Sequence, residues 1–223
     1  MAESTKKKGA FFMAKIYLVR HGESVANTRG IYQGQTYNTP LSCMGKKQAE
    51  ALAKFFEDKD INKILTSPLM RTKQTAQKVA NLKHLEIFDT LEVIETNHGE
   101  WEGLEKKVIS TKWPNIYQLW QKKPSEVKFP GGETFLETRK RVIRWWNCII
   151  KENTNLLVVT HDNIIRIILA EVLGLNLDNI WRFQLNPAAV TIVEVENGNY
   201  HLLALDEKSH LKELLVNLGN HAL

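Results

Sequence analysis

Two histidines and two arginines stand where short apolar runs of this chain end. Arg20 and His21 close the first run. Arg71 follows the second run, and His161 closes a third. If these runs are parallel strands, their carboxyl ends meet at one edge of a sheet, which is where open α/β folds bind ligands. The spacing therefore predicts that these side chains converge on one rim.

These residue types are the ones needed to hold a phosphoryl group and to attack it. A cation such as Arg20 beside His21 disfavours the imidazolium form, so that the ring stays neutral and nucleophilic. The planar guanidinium of Arg71 matches two phosphate oxygens at once. Gly22 removes a side chain next to the histidine and would let a ligand approach the backbone. A lone histidine is more often structural, so the hypothesis depends on the convergence of the whole set.

Alternating strand and helix patterns predict the sheet that would position these residues. Continuous apolar runs predict buried strands at 15–19, 61–65 and 156–159, and shorter strands are predicted near 86–88 and 91–94. Helices are predicted at 45–57, from Ser67-Pro68 to about 80, at 114–121, 133–151 and 163–173. Asn197-Gly198 predicts a hairpin between strands at 188–196 and 200–206. The alternation predicts a three-layer α/β sandwich, with a mostly parallel central sheet and helices on both faces.

Composition narrows the class of protein. The 223 residues carry 30 Lys and Arg against 25 Asp and Glu, a formal net charge of +5, and 43% are hydrophobic. These values fit a soluble globular domain, and the scattered positive charge predicts no nucleic-acid partner. The longest apolar stretch, 164–175, is too short and too charged to span a bilayer, so no membrane partner is predicted. Two distant cysteines, Cys43 and Cys148, predict neither a disulfide scaffold nor a zinc site and favour a cytoplasmic location.

A series of short motifs follows in a fixed order along the chain. Leu18-Val19-Arg20-His21-Gly22-Glu23-Ser24 comes first, with Asn27 six residues past the histidine. The later motifs are Ser67-Pro68-Leu69-Met70-Arg71-Thr72, Glu95 before Gly99-Glu100-Trp101-Glu102-Gly103, Gly131-Gly132-Glu133-Thr134, and Val158-Val159-Thr160-His161. This order resembles that of the histidine phosphatase superfamily, which includes cofactor-dependent phosphoglycerate mutases. The resemblance extends over almost the whole chain from Met13 onward.

The resemblance implies catalytic roles for five residues. His21 matches the nucleophile that becomes phosphohistidine. Glu95 matches the acid that protonates the leaving oxygen and then activates water, which requires a raised pKa near neutral pH. Arg20, Arg71 and His161 match the pocket that binds phosphate oxygens and stabilises charge in the transition state. The family needs no metal, because these cations neutralise the phosphate charge. No cofactor is expected for this chain.

The resemblance also implies substrate contacts. Asn27 matches a phosphate contact, and Gln33 and Gly34 match a loop near the phosphate and the substrate. His98, three residues past Glu95, is expected to reach the substrate or to order the loop that follows Glu95. We interpret 13–223 as a single domain in which about 100–132 form a substrate-cap insertion. Residues 1–12, which contain a lysine run, are interpreted as a disordered extension or tag.

The resemblance favours a phosphomonoester phosphatase that acts on a small phosphorylated metabolite. Mutases of the superfamily carry a longer insertion after the acid than the segment between Gly103 and Gly131 offers. They also usually have a Trp before the Asn, where this chain has Ala26 before Asn27. The sequence looks most similar to bacterial phosphoserine and α-ribazole phosphate phosphatases, with a weak preference for phosphoserine-like substrates. Two alternatives stay open, a phosphoglycerate mutase and a non-catalytic phosphate-binding module, as does a homodimer through the hairpin or an edge strand.

Overall fold

Six strands form one sheet within residues 13–220, the part of the chain that the computed structural model describes. The extension expected at 1–12 lies outside these residues. The strands are β1 (Met13–Arg20), β2 (Lys63–Thr66), β3 (Ile87–Asp89), β4 (Leu156–Thr160), β5 (Val190–Glu196) and β6 (Asn199–Glu207). Their order across the sheet is β3-β2-β4-β1-β5-β6.

The sheet is parallel over four strands and antiparallel at one side. β3, β2, β4 and β1 run parallel, whereas β5 pairs antiparallel with both β1 and β6. Asn197 and Gly198 join β5 to β6 with positive φ angles of 50° and 82°, as a tight hairpin requires. The predicted mostly parallel sheet and its hairpin are confirmed.

Six α-helices within residues 13–220 cover the sheet. They are α1 (Cys43–Phe55), α2 (Met70–Lys83), α3 (Lys106–Lys112), α4 (Pro114–Lys122), α5 (Phe135–Ile149) and α6 (Asp162–Val172). Successive side chains of a strand point to opposite faces, so Leu18 and Val19 of β1 enter different cores. Leu18 packs in the cluster that contains residues of α5 and α6, and Val19 in the cluster that contains residues of α1 and α2. The three-layer sandwich is therefore confirmed.

Two local predictions near the site are wrong. The helix expected from Ser67 begins at Met70, with Leu69 as its N-cap and no side-chain cap hydrogen bond. The hydroxyl of Ser67 pairs with His161 instead. The strand expected at 91–94 is a 3-10 turn, Leu91–Val93. Leu91 is 69% exposed, and the turn closes on itself rather than pairing with the sheet.

The Trp-rich segment at about 100–132 holds two short helices, α3 and α4, of which only α4 was predicted. An aromatic cluster joins this segment to the domain. Trp120 contacts Phe129 edge-on, with ring centroids 5.1 Å apart, and Trp101 contacts Tyr32 and Phe129 in the same way. Edge-to-face aromatic contacts of this kind add to the stability gained by burial. The segment is therefore part of the packed core.

Candidate active site

A small cleft lies at the carboxyl edge of the parallel strands. Arg20 ends β1, His21 follows it, and Arg71 stands in the first turn of α2, just after β2. The cleft is lined by Arg20, His21, Asn27, Ile31, Tyr32, Gln33, Gly34, Arg71, Glu95 and Asp162. The structure thus brings together seven of the residues that the sequence singled out.

His21 has one ring nitrogen fixed by a backbone hydrogen bond. Nδ1 lies 2.7 Å from the carbonyl oxygen of Gly22. A carbonyl only accepts, so Nδ1 carries the proton and Nε2 keeps its lone pair. The ring is only 4% exposed and contacts the His161 ring edge-on, with centroids 5.3 Å apart. The local backbone therefore selects the tautomer in which Nε2 keeps its lone pair.

Gly22 has a different role from the one expected. It is not among the cleft residues, and a Cβ atom there would lie 2.9 Å from the carbonyl oxygen of Gly45 in α1. That separation is too short for an ordinary contact. Glycine at this position therefore allows the histidine loop to pack against α1, rather than allowing a ligand to approach the backbone.

Arg20 and Arg71 are both buried, and part of each guanidinium is unpaired. Arg71 donates from Nη2 to the carbonyl oxygen of Gly34 at 2.9 Å, and Arg20 donates from Nη1 to the Leu185 carbonyl at 2.6 Å. Nε of Arg20 and both Nε and Nη1 of Arg71 have no hydrogen-bond partner among residues 13–220. Burial lowers the pKa of Arg71 to about 10, so that it remains charged at neutral pH. Buried N–H groups of a cation are costly to leave unpaired, which favours an anion in the cleft.

Asp162 is a cleft residue that the sequence reasoning did not assign. Its carboxylate accepts from Arg20 Nη1 at 3.2 Å and from Arg166 Nε at 2.6 Å. Burial lowers the pKa of Arg20, and the Asp162 carboxylate opposes that shift. Arg166 in turn donates to the carbonyl oxygens of Ile180 and Phe183. The i, i+4 spacing of Asp162 and Arg166 on one helix was the available signal.

His161 lies against the His21 ring and does not line the cleft. Its Nε2 is 2.8 Å from Oγ of Ser67, and its Nδ1 is buried with no hydrogen-bond partner among the described residues. Burial, followed by the charge of Arg71, holds the pKa of His161 well below its usual range. The ring is therefore neutral, and one of its nitrogens must carry a proton that it can donate.

Glu95 is a buried carboxyl group at the cleft. It is 3% exposed, and its Oε1 accepts from the backbone N–H of Thr96 at 2.8 Å. Burial raises the pKa of Glu95 to about 7, although the Thr96 hydrogen bond and the Arg71 charge oppose the shift. A carboxyl group with this pKa exchanges a proton readily near neutral pH, as a general acid and base must.

Asn27, Gln33 and Gly34 form one wall of the cleft. Oδ1 of Asn27 accepts from the backbone N–H and the hydroxyl of Ser24, which orients its amide. Oε1 of Gln33 accepts from the Thr39 hydroxyl at 3.0 Å. Gly34 has φ +52°, and a Cβ there would overlap the Glu102 carboxylate. These contacts fix the wall that faces both arginines.

His98 is not at the cleft, contrary to the expectation that it reaches the substrate. Its side chain is fully buried and stacks edge-on against Tyr32 and Phe129, with ring centroids 5.5 and 4.6 Å away. Nε2 lies 3.3 Å from the Asn163 amide nitrogen. Burial, followed by the charge of Arg71, lowers the pKa of His98 to about 3, so this ring is a neutral part of the aromatic core.

Two further kinds of feature were sought within residues 13–220, membrane-spanning helices and clusters of metal-ligating side chains. No helix there is both long enough and apolar enough to cross a membrane. The same residues contain no group of three or more His, Cys, Asp or Glu side chains arranged to hold a metal ion.

The fold and the cleft together define a phosphoryl-transfer enzyme: buried arginines and a histidine with a fixed tautomer face a cleft at the carboxyl edge of a parallel sheet. Comparison with known proteins makes the class specific. Residues 16–208 match the histidine phosphatase superfamily, branch 1. The chain therefore belongs to this superfamily and is a phosphoric monoester hydrolase.

Individual relatives agree with that assignment. Phosphoserine phosphatase 1 of Hydrogenobacter thermophilus is 34% identical over 206 residues, which are 92% of this chain and 97% of that protein. Adenosylcobalamin/alpha-ribazole phosphatase of Escherichia coli is 25% identical over 197 residues, 87% of this chain and 97% of the relative. The solved structure of Bacillus stearothermophilus YhfR superimposes with a TM-score of 0.84 at 27% identity, and covers 89% of this chain and 99% of that one.

Proposed function

We propose that the protein hydrolyses small phosphomonoesters in two steps through a phosphohistidine at His21. In the first step, Nε2 attacks phosphorus while the bond to the leaving oxygen breaks, and Glu95 gives its proton to that oxygen. In the second step, the ionised Glu95 takes a proton from water, and the resulting oxygen attacks phosphorus as the bond to Nε2 breaks. Inorganic phosphate leaves, and His21 and Glu95 return to their starting states.

The observation that carries this proposal is the set of unpaired N–H groups beside the nucleophile. Arg20 and Arg71 present buried guanidinium nitrogens without partners among the described residues, next to a histidine whose Nδ1 is already bonded. A phosphate dianion supplies acceptors for those N–H groups. Each contact strengthens as charge moves onto the oxygens in the transition state, which is the condition for catalysis by differential binding.

Asn27 contacts the phosphate in this proposal, and His161 supports His21 from outside the cleft lining. Asn27 lines the cleft with its amide oxygen held by Ser24. The neutral His161 ring packs edge-on against His21, with Nε2 on Ser67, and adds no charge beside the nucleophile. A neutral ring there avoids the desolvation penalty of a third buried cation.

We further propose a phosphoserine-like substrate. The relative that is 34% identical is a phosphoserine phosphatase, and it aligns over 97% of its length. Specificity for the alcohol part of the substrate would come from the wall of Gln33 and Gly34 and from the substrate cap expected at about 100–132. Within this chain Cys43 and Cys148 are both exposed and unpaired, which supports the proposal of a reducing compartment such as the cytoplasm.

The test is phosphate release from a panel of phosphomonoesters in EDTA, with p-nitrophenyl phosphate, phosphoserine and 3-phosphoglycerate as probes. His21→Ala is expected to abolish turnover of every ester. His201→Ala, at an exposed histidine of β6, is the matched control and is expected to keep full activity. Full activity of His21→Ala would refute the nucleophile. Interconversion of 2- and 3-phosphoglycerate faster than phosphate release would identify a mutase, and phosphate binding without turnover would identify a non-catalytic module.

The homodimer stays a prediction. β6 is an edge strand, and its Leu203 and Leu205 side chains are 50% and 39% exposed. An unpaired strand edge of this kind is a place where a second chain can add. Sedimentation equilibrium of the purified protein tests the prediction directly.

A further inference from the structure

We propose that Arg141, paired with Glu133, is a positioning residue that holds the Glu95 carboxyl group against the leaving oxygen. This inference rests on the proposed role of Glu95 as general acid. It assigns a catalytic purpose to an ion pair on α5 and the segment before it, outside the cleft lining.

Arg141 holds both ends of the turn that carries Glu95. Its Nη1 donates to the carbonyl oxygen of Glu92 at 2.7 Å, and its Nη2 donates to the carbonyl oxygen of Glu95 itself at 2.9 Å. The two carbonyls belong to the same short loop, three residues apart. The planar fork of a guanidinium fixes their relative orientation, which a single donor does not do.

Glu133 binds both Arg141 and the loop that carries Glu95. Its Oε1 accepts from Nη2 of Arg141 at 2.9 Å and from the backbone N–H of Asn97 at 2.7 Å. The Arg141 and Glu133 side chains are 20% and 17% exposed, so the pair is largely shielded from solvent. The loop at 92–97 is thus held by carbonyl acceptors on one side of Glu95 and by an N–H donor on the other.

A side chain next to the cleft wall also donates a hydrogen bond to the Glu95 carbonyl oxygen. Nε2 of Gln35 donates to the Glu95 carbonyl oxygen at 2.7 Å. Gln35 follows Gly34, whose own carbonyl accepts from Arg71. The Glu95 backbone is therefore tied to the wall beside the phosphate site as well as to α5.

The position of a general acid matters more than its presence alone. Proton transfer requires the carboxyl group within hydrogen-bond reach of the leaving oxygen, and a displacement of about 1 Å costs on the order of a hundredfold in rate. The Glu95 carboxyl group accepts its hydrogen bond from the adjacent backbone, at Thr96, so its placement depends on the loop that Arg141 holds. Arg141 thus acts on the reaction through Glu95 and does not touch the cleft.

The experiment compares kcat/KM for two esters of similar size that differ in their need for an acid. Benzyl phosphate has an alcohol leaving group that must be protonated, whereas p-nitrophenolate leaves with little protonation. The ratio kcat/KM reports phosphoryl transfer to His21 and excludes the later hydrolysis that both esters share. Arg141→Gln is expected to lose about tenfold more with benzyl phosphate than with p-nitrophenyl phosphate, because the acid contributes about 10²–10⁴-fold.

Two variants of α5 separate position from charge. Arg141→Lys keeps the positive charge but not the fork, and is expected to show the same selective loss in smaller measure. Arg144→Gln removes an exposed arginine one turn further along α5 and is expected to leave both esters within about twofold of the parent. If Arg141→Gln does not fold, Arg141→Lys provides the same comparison.

The pH profile gives a readout that a purely structural role would not move. The charges that act on Glu95 are Arg71 and Arg141, which lower its pKa, and Asp162, which raises it; the Arg20 guanidinium interacts with it as well. Without the Arg141 charge the pKa of Glu95 rises, so the fall of benzyl phosphate kcat/KM with increasing pH is expected to move to higher pH in Arg141→Gln. Arg141→Lys is expected to move it less.

The outcomes distinguish this inference from the mechanism on which it rests. If Glu95→Gln loses equally on both esters, Glu95 is not the acid and the proposed mechanism itself is wrong. A second outcome is that Glu95→Gln shows the selective loss, but Arg141→Gln loses kcat/KM equally on both esters and its fall with pH does not move. In that case only the positioning role of Arg141 is overturned. Selective loss in both variants supports both assignments.

Discussion

His21 and Glu95 show how single contacts adjust chemistry at the residue scale. One carbonyl, that of Gly22, is enough to decide which nitrogen of His21 keeps its lone pair. Burial, opposed by the Thr96 hydrogen bond and the Arg71 charge, raises the pKa of the Glu95 carboxyl group to about 7. Neither property can be read from composition, because both depend on which backbone groups and apolar atoms surround the side chain.

The raised pKa of Glu95 has a cost in stability that a substitution should relieve. The folded state holds the proton more tightly than the unfolded chain, so stability falls as pH rises from 4.5 through about 7. This shift corresponds to about 3 kcal/mol above pH 7. Glu95→Gln, which has no charge to bury, is therefore expected to unfold at higher urea concentration than the parent at pH 8.

Urea unfolding at two pH values checks this prediction. The advantage of Glu95→Gln over the parent is expected to shrink to about 1 kcal/mol at pH 5, where most of the raised-pKa penalty is absent. An advantage that is the same at pH 5 and pH 8 would mean that Glu95 is not a buried acid with a raised pKa.

At the scale of elements, the loop that carries Glu95 packs on the segment before α5 through two glycines. A Cβ at Gly99 would lie 2.1 Å from the carbonyl oxygen of Pro130, and one at Gly132 would lie 2.3 Å from the carbonyl oxygen of Asn97. Gly99 also has φ +56°, a conformation that side chains disfavour. The motif that begins at Gly99 and the Gly131-Gly132 motif are separate in the sequence, but they pack as one unit beside the Glu95 loop.

Gly99→Ala is expected to damage both stability and acid catalysis. Strain at positive φ together with backbone overlap should cost about 3 kcal/mol and displace the Glu95 loop. Gly198→Ala is the matched control, because Gly198 has φ +82° but a methyl group added there would meet nothing within 4 Å. It should cost about 1 kcal/mol and leave activity unchanged. Equal effects of the two substitutions in urea unfolding and in benzyl phosphate kcat/KM would contradict the packing argument.

The sequence predicted the elements better than it predicted their ends. Apolar periodicity found β1, β2, β4 and the helices that flank them, because burial on one or both faces leaves a clear pattern. It misplaced the start of α2, since the Ser67 hydroxyl pairs with a residue 94 positions away that no local pattern shows. It also took Leu91–Val93 for a strand, because an apolar run does not reveal whether a neighbouring strand is available.

At the scale of the whole molecule, the parallel order of β2, β4 and β1 brings distant parts of the chain to one edge. Arg20 and Asp162 are 142 positions apart and share an ion pair in the cleft wall. The motif order and the topology rule predicted that convergence. They did not predict Asp162, because a buried counter-ion is defined by the side chains that surround it in the fold. They also did not predict that His98 is buried in the aromatic core.

Anion binding should therefore stabilise the whole fold. Inorganic phosphate that binds only the folded state raises its stability by about 2.7 kcal/mol at 100 times its Kd. Phosphate is expected to raise the Tm of the parent protein, and Arg71→Gln to lose most of that rise. Arg144→Gln, with the same change of charge on an exposed side chain, should keep it. An equal rise in Arg71→Gln would show that phosphate acts elsewhere.

Trapping the covalent intermediate tests the central claim most directly. Glu95→Gln is incubated with ³²P-labelled p-nitrophenyl phosphate, whose leaving group needs little acid, and quenched rapidly without acid. The first step is then kept while the second is slowed, so labelled protein should accumulate, and the label should be acid-labile and stable to base. Peptide mapping is expected to place it on His21, and His21→Ala should take up none. Label on any other residue would contradict a mechanism built on this histidine. Full turnover by His21→Ala without any label would contradict it as well.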